Sequence, residues 1–263
     1  MIARCTAVDA PYRGEPAVNE GPEPTEPSGG GLIELMQDAD SSWTTARGVW
    51  RHWRRHDLVL LAFDQHFARL AASGSAVWES PTLPSEGSRP AVVEALRTVT
   101  VDRNGTRVRV ERLSSQGDDT PPDLLVLDGP IFWVRTGPKV STNVGDPGLS
   151  HGGAEALALL RPGRLPKLFE LRPVSRSRVA GRHCYTVTLV PRAETQDQDP
   201  AANALGMIAG GDEFVLEVDV LTGLVLRATK IVDGLSAEIH EWLSLELDVP
   251  VADSDFAPLT ATT

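Results

Sequence analysis

From residue 75 to the C-terminus, apolar side chains recur mostly at every second position. Phe214, Leu216, Val218 and Val220 fall on one side of such a run, and Glu213, Glu217 and Asp219 on the other. A period of two marks a β-strand with one face buried and one face wet. The same logic predicts strands over 43–55, 75–79, 91–102, 106–113, 124–127, 131–135, 170–178, 183–191 and 224–232. Asn104-Gly105, Asp128-Gly129-Pro130, Val179 to Arg182 and Thr222-Gly223 supply the turns between them. Residues 235–247 fit two periods. Leu243, Leu245 and Leu247 alternate with Ser244 and Glu246, whereas Leu235, Ile239 and Trp242 would also line a helix; the strand is adopted.

Helical spacing occurs in two places. Leu60, Phe63, Phe67 and Leu70 are separated by three, four and three residues, with Asp64, Gln65 and Arg69 between them, which predicts an amphipathic helix over 57–72. Residues 154–169 read as short helices interrupted by Pro162 and Pro166. Leu32, Ile33, Leu35 and Met36 form a short apolar cluster, a helical turn or two. Residues 137–153 and 192–212 read as polar loops. Residues 9–31, rich in Pro, Glu and Gly, carry too little apolar surface to offset their ordering entropy. The domain plan is therefore a disordered acidic tail over 1–31, one domain over 32–258, and a short C-terminal tail over 259–263.

Consecutive strands joined by tight turns imply an antiparallel meander. The fold class is α+β, mainly β: an open half-barrel antiparallel sheet with its few helices covering the concave face.

Composition narrows the function. The formal charge of −11 makes phosphate backbones and anionic head groups poor partners. Only two cysteines occur, Cys5 and Cys184, which is neither a disulfide framework nor a metal knuckle. No apolar run approaches the roughly 18 residues of a membrane span. The first residues lack the apolar stretch of a secretion signal, so a cytoplasmic location is expected.

Candidate chemistry is sparse. His52 and His56 stand four apart, a zinc spacing on a helix; on a strand they lie about 13 Å apart, so no metal site is assigned. Ser150-His151-Gly152-Gly153 has no matching Gly-x-Ser-x-Gly nucleophile elbow and reads as a loop. Arg47, Arg51, Arg54 and Arg55, interleaved with Trp50 and Trp53, form the one basic patch. Alternation splits it, with Arg47, Arg51, Arg55, Trp43 and Trp53 on one face and Trp50 on the other. Packed arginine stems explain it better than nucleic-acid binding. No catalytic constellation emerges, and no cofactor is implied.

Several segments in order carry a resemblance. They are Leu127-Asp128-Gly129-Pro130-Ile131-Phe132-Trp133, Leu159-Leu160-Arg161-Pro162, and Val179-Ala180-Gly181-Arg182 followed by Val190-Pro191-Arg192. Next come Val218-Asp219-Val220-Leu221-Thr222-Gly223-Leu224-Val225-Leu226-Arg227 and Asp255-Phe256. Over roughly residues 32–258 the chain resembles actinobacterial proteins of the LolA/RseB-like, lipoprotein-carrier-like superfamily. The resemblance implies a half-open antiparallel barrel plugged by helices, without enzymatic activity. Its members hold lipid or acyl chains in the cavity between sheet and helices, or regulate a signalling protein.

Two expectations follow. In the first, the protein holds an apolar small molecule or lipid against a concave face lined by Val108, Val110, Val134, Val187, Phe214, Leu216, Val218 and Leu226, with the helices at 57–72 and 154–169 as a lid. In the second, it is an RseB-like regulatory module that binds a protein partner, and the same face is filled by side chains.

Overall fold

In a computed structural model, which describes residues 29–72, 91–104, 106–113, 122–145, 153–191, 205 and 211–259, the alternating segments form one antiparallel sheet. Its strands are β1 (Thr45–Arg55), β2 (Val92–Asp102), β3 (Arg107–Arg112), β4 (Leu124–Asp128), β5 (Ile131–Thr136), β6 (Lys139–Val144), β7 (Phe169–Val179), β8 (Arg182–Pro191), β9 (Glu213–Asp219), β10 (Val225–Val232) and β11 (Leu235–Leu247). The spatial order is β6-β5-β4-β3-β2-β1-β11-β10-β9-β8-β7. The first and last strands therefore pair at the centre, and each half is a meander running outward to an edge. β6 and β7, successive in the chain, lie at opposite edges, so the sheet stays open. The chain between them carries α3 (Gly153–Leu160) and α4 (Leu165–Leu168), which pack on the inner face. With α1 (Gly29–Asp38), these cover one half of that face; α2 (His56–Ala72) packs on the ends of β10 and β11.

Three expectations change. Strand β6 lies inside the predicted loop 137–153. Its side chains are nearly all exposed, so it shows no apolar alternation, and only backbone pairing to β5 makes it a strand. Helix α1 begins at Gly29, three residues inside the predicted tail, and Leu259 at the other end packs with Leu124, Val126 and Phe256 instead of trailing. In α2 the buried face is Leu58 and Ala62, packed on Val232 and Ala237; Phe63 is 36% exposed and stacks on Phe67. The apolar spacing of Leu60, Phe63 and Phe67 thus found the helix, but its most buried residues are Leu58 and Ala62, with Leu60 and Phe67 half-buried. The predicted strand 75–79 and most of the predicted loop 192–212 lie outside the described residues; Leu205 of that loop is buried in the core.

Residues 235–247 are a strand, with a parity shift. Ala46, Gly48, Trp50 and His52 share one face of β1, but their partners on β11 are Leu247, Leu245, Trp242 and His240. The register slips between Val49 and Trp50, so Leu243 is an extra residue and is 44% exposed. Gly48 permits the close approach: a Cβ there would stand 2.1 Å from the Ser244 carbonyl oxygen. The turn after β9 depends equally on glycine. Gly223 has φ +73°, and a Cβ would meet the Leu35 carbonyl oxygen of α1 at 2.1 Å.

The outer face is polar and cross-linked. Glu241, buried in the sheet, lies between Arg51 and Arg227. Arg47 pairs with Asp255 at 2.8 Å, Arg55 with Asp57, and Arg107 with both Asp102 and Asp253. The predicted basic patch is thus largely neutralised by neighbouring carboxylates. No helix among the described residues is long and apolar enough to cross a membrane.

Candidate functional site

The inner face divides into two halves. One half is apolar. Val99, Val101, Val108, Val110, Leu216, Val218, Leu226 and Leu245 meet Leu32, Met36, Leu159, Leu160 and Leu165 of the covering helices in a single core. Seven of the eight predicted lining residues are buried in this core, and Val134 packs against it partly buried. Val187, Leu216, Val218 and Leu226 have no exposed surface. The buried indole at this end, Trp43, donates its Nε1–H to the Leu160 carbonyl at 3.3 Å.

The other half continues the same strands in polar residues. Beyond Ala46 and Gly48, β1 presents Trp50 and His52; β11 presents Trp242, His240 and Glu238; β10 presents Lys230; β2 presents Arg97. His52 Nε2 lies 2.7 Å from Glu238 Oε1, and His240 Nε2 lies 3.6 Å from the same oxygen. The two imidazoles stack with centroids 4.3 Å apart, and the Trp50 indole stacks on both. The Arg97 guanidinium sits over the Trp50 ring at 5.2 Å. From α3, Glu155 faces this group closely enough for its charge to act on His52 and Arg97.

Burial sets the protonation of these groups. It pushes the Glu155 carboxyl up and the His52 imidazole down, and lowers the Lys230 ammonium to about 8. Burial also opposes ionisation of Glu238, but the His240 and His52 imidazoles override it and hold that carboxyl well below the usual carboxylate range. Several buried polar atoms here have no hydrogen-bond partner: Trp50 Nε1, Trp242 Nε1, both ring nitrogens of His240, an Arg97 terminal nitrogen and Glu155 Oε2. Such groups cost about 1–3 kcal/mol each when nothing satisfies them.

Arg97 also borders a groove of about 220 Å³, lined by Val110, Leu124, Leu125, Arg112, Asp123 and Thr136. Val110 was expected on a binding face; Leu125, its cross-strand partner, was not. Leu125 sits in the unbroken run Leu124 to Leu127, where alternation cannot tell inside from outside.

Sequence reasoning missed the His52–Glu238–His240 group because it paired His52 with His56 by spacing along the chain. His56 instead opens α2, and the partner of His52 comes from β11, across the sheet. Glu238, His240 and Trp242 do sit two apart in the sequence, a legible signal that the choice between helix and strand obscured. Cys184 is buried, and its thiol is pushed up to about 12 by burial first and by Asp219 second, so it is an inert core residue.

No protein-family profile and no characterised protein sequence matches the chain. Solved structures align with it at low similarity. A chain of the Pseudomonas aeruginosa MucA/MucB complex aligns with a TM-score of 0.47 at 17% identity, over 88% of this chain and 60% of that one. The Mycobacterium tuberculosis lipoprotein LppX aligns with a TM-score of 0.46 at 13% identity, over 84% and 95% of the two chains. A LolA-superfamily protein from Nitrosomonas europaea aligns with a TM-score of 0.35 at 7% identity, over 89% and 99%. The chain spans about three fifths of the length of the chains it matches in the MucB and MucA/MucB structures.

Proposed function

We propose that this is a non-catalytic binding protein for an apolar, acyl-type ligand with an acidic end. The apolar part lies along Val110 and Leu125 in the groove, and the acidic end meets Arg97. One observation carries the reading: a buried Arg97 nitrogen without a hydrogen-bond partner, on a guanidinium that lines a groove in which Val110, Leu124 and Leu125 stand beside Arg112, Asp123 and Thr136. A carboxylate or phosphate would supply the missing acceptor. The groove lining includes one hydroxyl, Thr136, and neither histidine nor cysteine to activate it, so binding is favoured over chemistry.

A titration with a dansyl-labelled fatty acid and its methyl ester tests this. The parent should bind the acid more tightly than the ester. Arg97→Met should erase that preference, on the order of 10-fold for one charge-assisted hydrogen bond. Leu125→Trp should fill the groove and weaken both probes. A parent that binds neither probe overturns the reading.

The complete burial of Val187, Leu216 and Leu226 favours a second reading for the opposite half of the sheet. There the face is ordinary core, as in a regulatory module that acts by binding a protein partner.

A further inference from the structure

We infer that His52, Glu238 and His240 form a binding site for a divalent transition cation of the zinc class. The sheet builds the site. Glu238 and His240 stand two apart on β11 and so point to the same face, and His52 on β1 is the cross-strand partner of His240. One ligand atom from each residue can be chosen so that all lie within 4.8 Å of one another. The Glu238 Oε1 distances to the two imidazoles, 2.7 Å and 3.6 Å, bracket the roughly 3.3–3.5 Å that separates ligands around a tetrahedral ion with bonds of about 2.0–2.1 Å. The two imidazoles are stacked at 18°, so one ring must turn out of the stack for both to meet a single ion. Two imidazole nitrogens and one carboxylate oxygen are a borderline donor set that suits zinc and its neighbours and is poor for calcium or magnesium.

A second observation points to a ligand at this place. His240 is only 2% exposed, yet its Nδ1 has no hydrogen-bond partner and its Nε2 reaches only the Glu238 carboxylate, at a long 3.6 Å. A neutral imidazole has one donor and one acceptor, and a core rarely leaves either poorly matched. A cation bound at Nε2 gives the acceptor nitrogen its partner and draws His52 and Glu238 to the same point. Three protein ligands leave one position open. Glu155 of α3, with its buried Oε2 unpartnered, faces the cluster from the covering side.

The opposing possibility is a purely structural His–Glu–His contact. The full chain, without an affinity tag, is stripped with a chelator, dialysed and titrated calorimetrically with zinc chloride; cobalt(II) is added in parallel and its visible absorption recorded. The expected result is one zinc per chain, a rise in melting temperature with zinc because only the folded state holds the site, and a cobalt spectrum of low-coordinate nitrogen and oxygen ligation. Loss of outer-shell groups weakens metal sites about 10–100-fold, so His240→Ala and Glu238→Gln, which remove ligands, should weaken zinc binding on the order of 100-fold. His183→Ala, at an exposed histidine on the β7–β8 hairpin, should change nothing. If His240→Ala fails to fold, the near-isosteric Glu238→Gln carries the comparison. A parent that takes up no zinc stoichiometrically, or a folded Glu238→Gln that binds as the parent does, overturns the inference. Neither result bears on fatty-acid binding at Arg97, so the two proposals stand or fall separately.

Discussion

The two halves of the inner face are built by the same central strands and differ in how completely their interior is satisfied. At the apolar end, Trp43 is buried and its indole nitrogen donates to the Leu160 carbonyl, while Leu216, Leu226 and Leu159 leave no surface exposed. At the polar end, Trp50 and Trp242 are equally buried, yet their indole nitrogens have no hydrogen-bond partner, and neither does the Nδ1 of His240. A core that is finished at one end and unsatisfied at the other separates two roles. The first half holds α1, α3 and α4 on the sheet and supplies stability. The second half leaves hydrogen-bonding and metal-ligating capacity unused, which proteins do at sites that receive something.

The sharpest way to break this division is to undock the apolar end. Gly223→Val would force a β-branched residue into positive φ and drive its Cβ into the Leu35 carbonyl of α1. The two faults together should cost about 3 kcal/mol or more. Thermal melts of the variant measure it, and a parent-like melting temperature would show that α1 is not seated on that turn.

A paired substitution compares the halves directly. Leu216→Trp overpacks a filled interior and should cost about 1–3 kcal/mol. Arg97→Met, in the other half, removes a buried guanidinium that lacks a full set of partners, and should leave stability within about 1 kcal/mol of the parent. Denaturant unfolding of both variants decides. Equal losses would mean that the two halves form one uniform core.

The smallest effect is a titration. Burial pushes the Cys184 thiol from an ordinary 9.0 up to about 12. Between these values the folded state keeps a proton that the unfolded state releases. Stability from this residue is therefore complete below pH 9 and is lost as pH rises from 9 toward 12. Cys184→Ala should flatten that part of the stability profile relative to the parent. In a Cys5→Ser background, a thiol reagent at neutral pH should label Cys184 only as fast as the protein opens. Rapid labelling would show that the apolar half is looser than its packing indicates.

Much of the fold was legible in the sequence. A period of two in Phe214, Leu216 and Val218, with turns such as Thr222-Gly223, is enough to specify an antiparallel meander, because side-chain alternation and turn chemistry are local properties. Proline spacing likewise placed the broken helices of 154–169. Local pattern failed at β6, whose polar residues become a strand only through pairing with β5. It failed again in α2, where Leu58 and Ala62 are the buried residues while Phe63 is 36% exposed beside Lys230.

The candidate sites needed tertiary structure to bring their residues together. The register slip opposite Val49 and Trp50 flips the parity of β11, so that Leu243 turns outward and His240 turns inward. That slip depends on Gly48 passing close to Ser244, a contact between residues nearly two hundred positions apart. By itself, the sequence determined which residues alternate, where the chain turns and that its interior is mostly β. Only the pairing of the first strand with the last decided which histidines meet, because distance across a sheet is set by register and not by spacing along the chain.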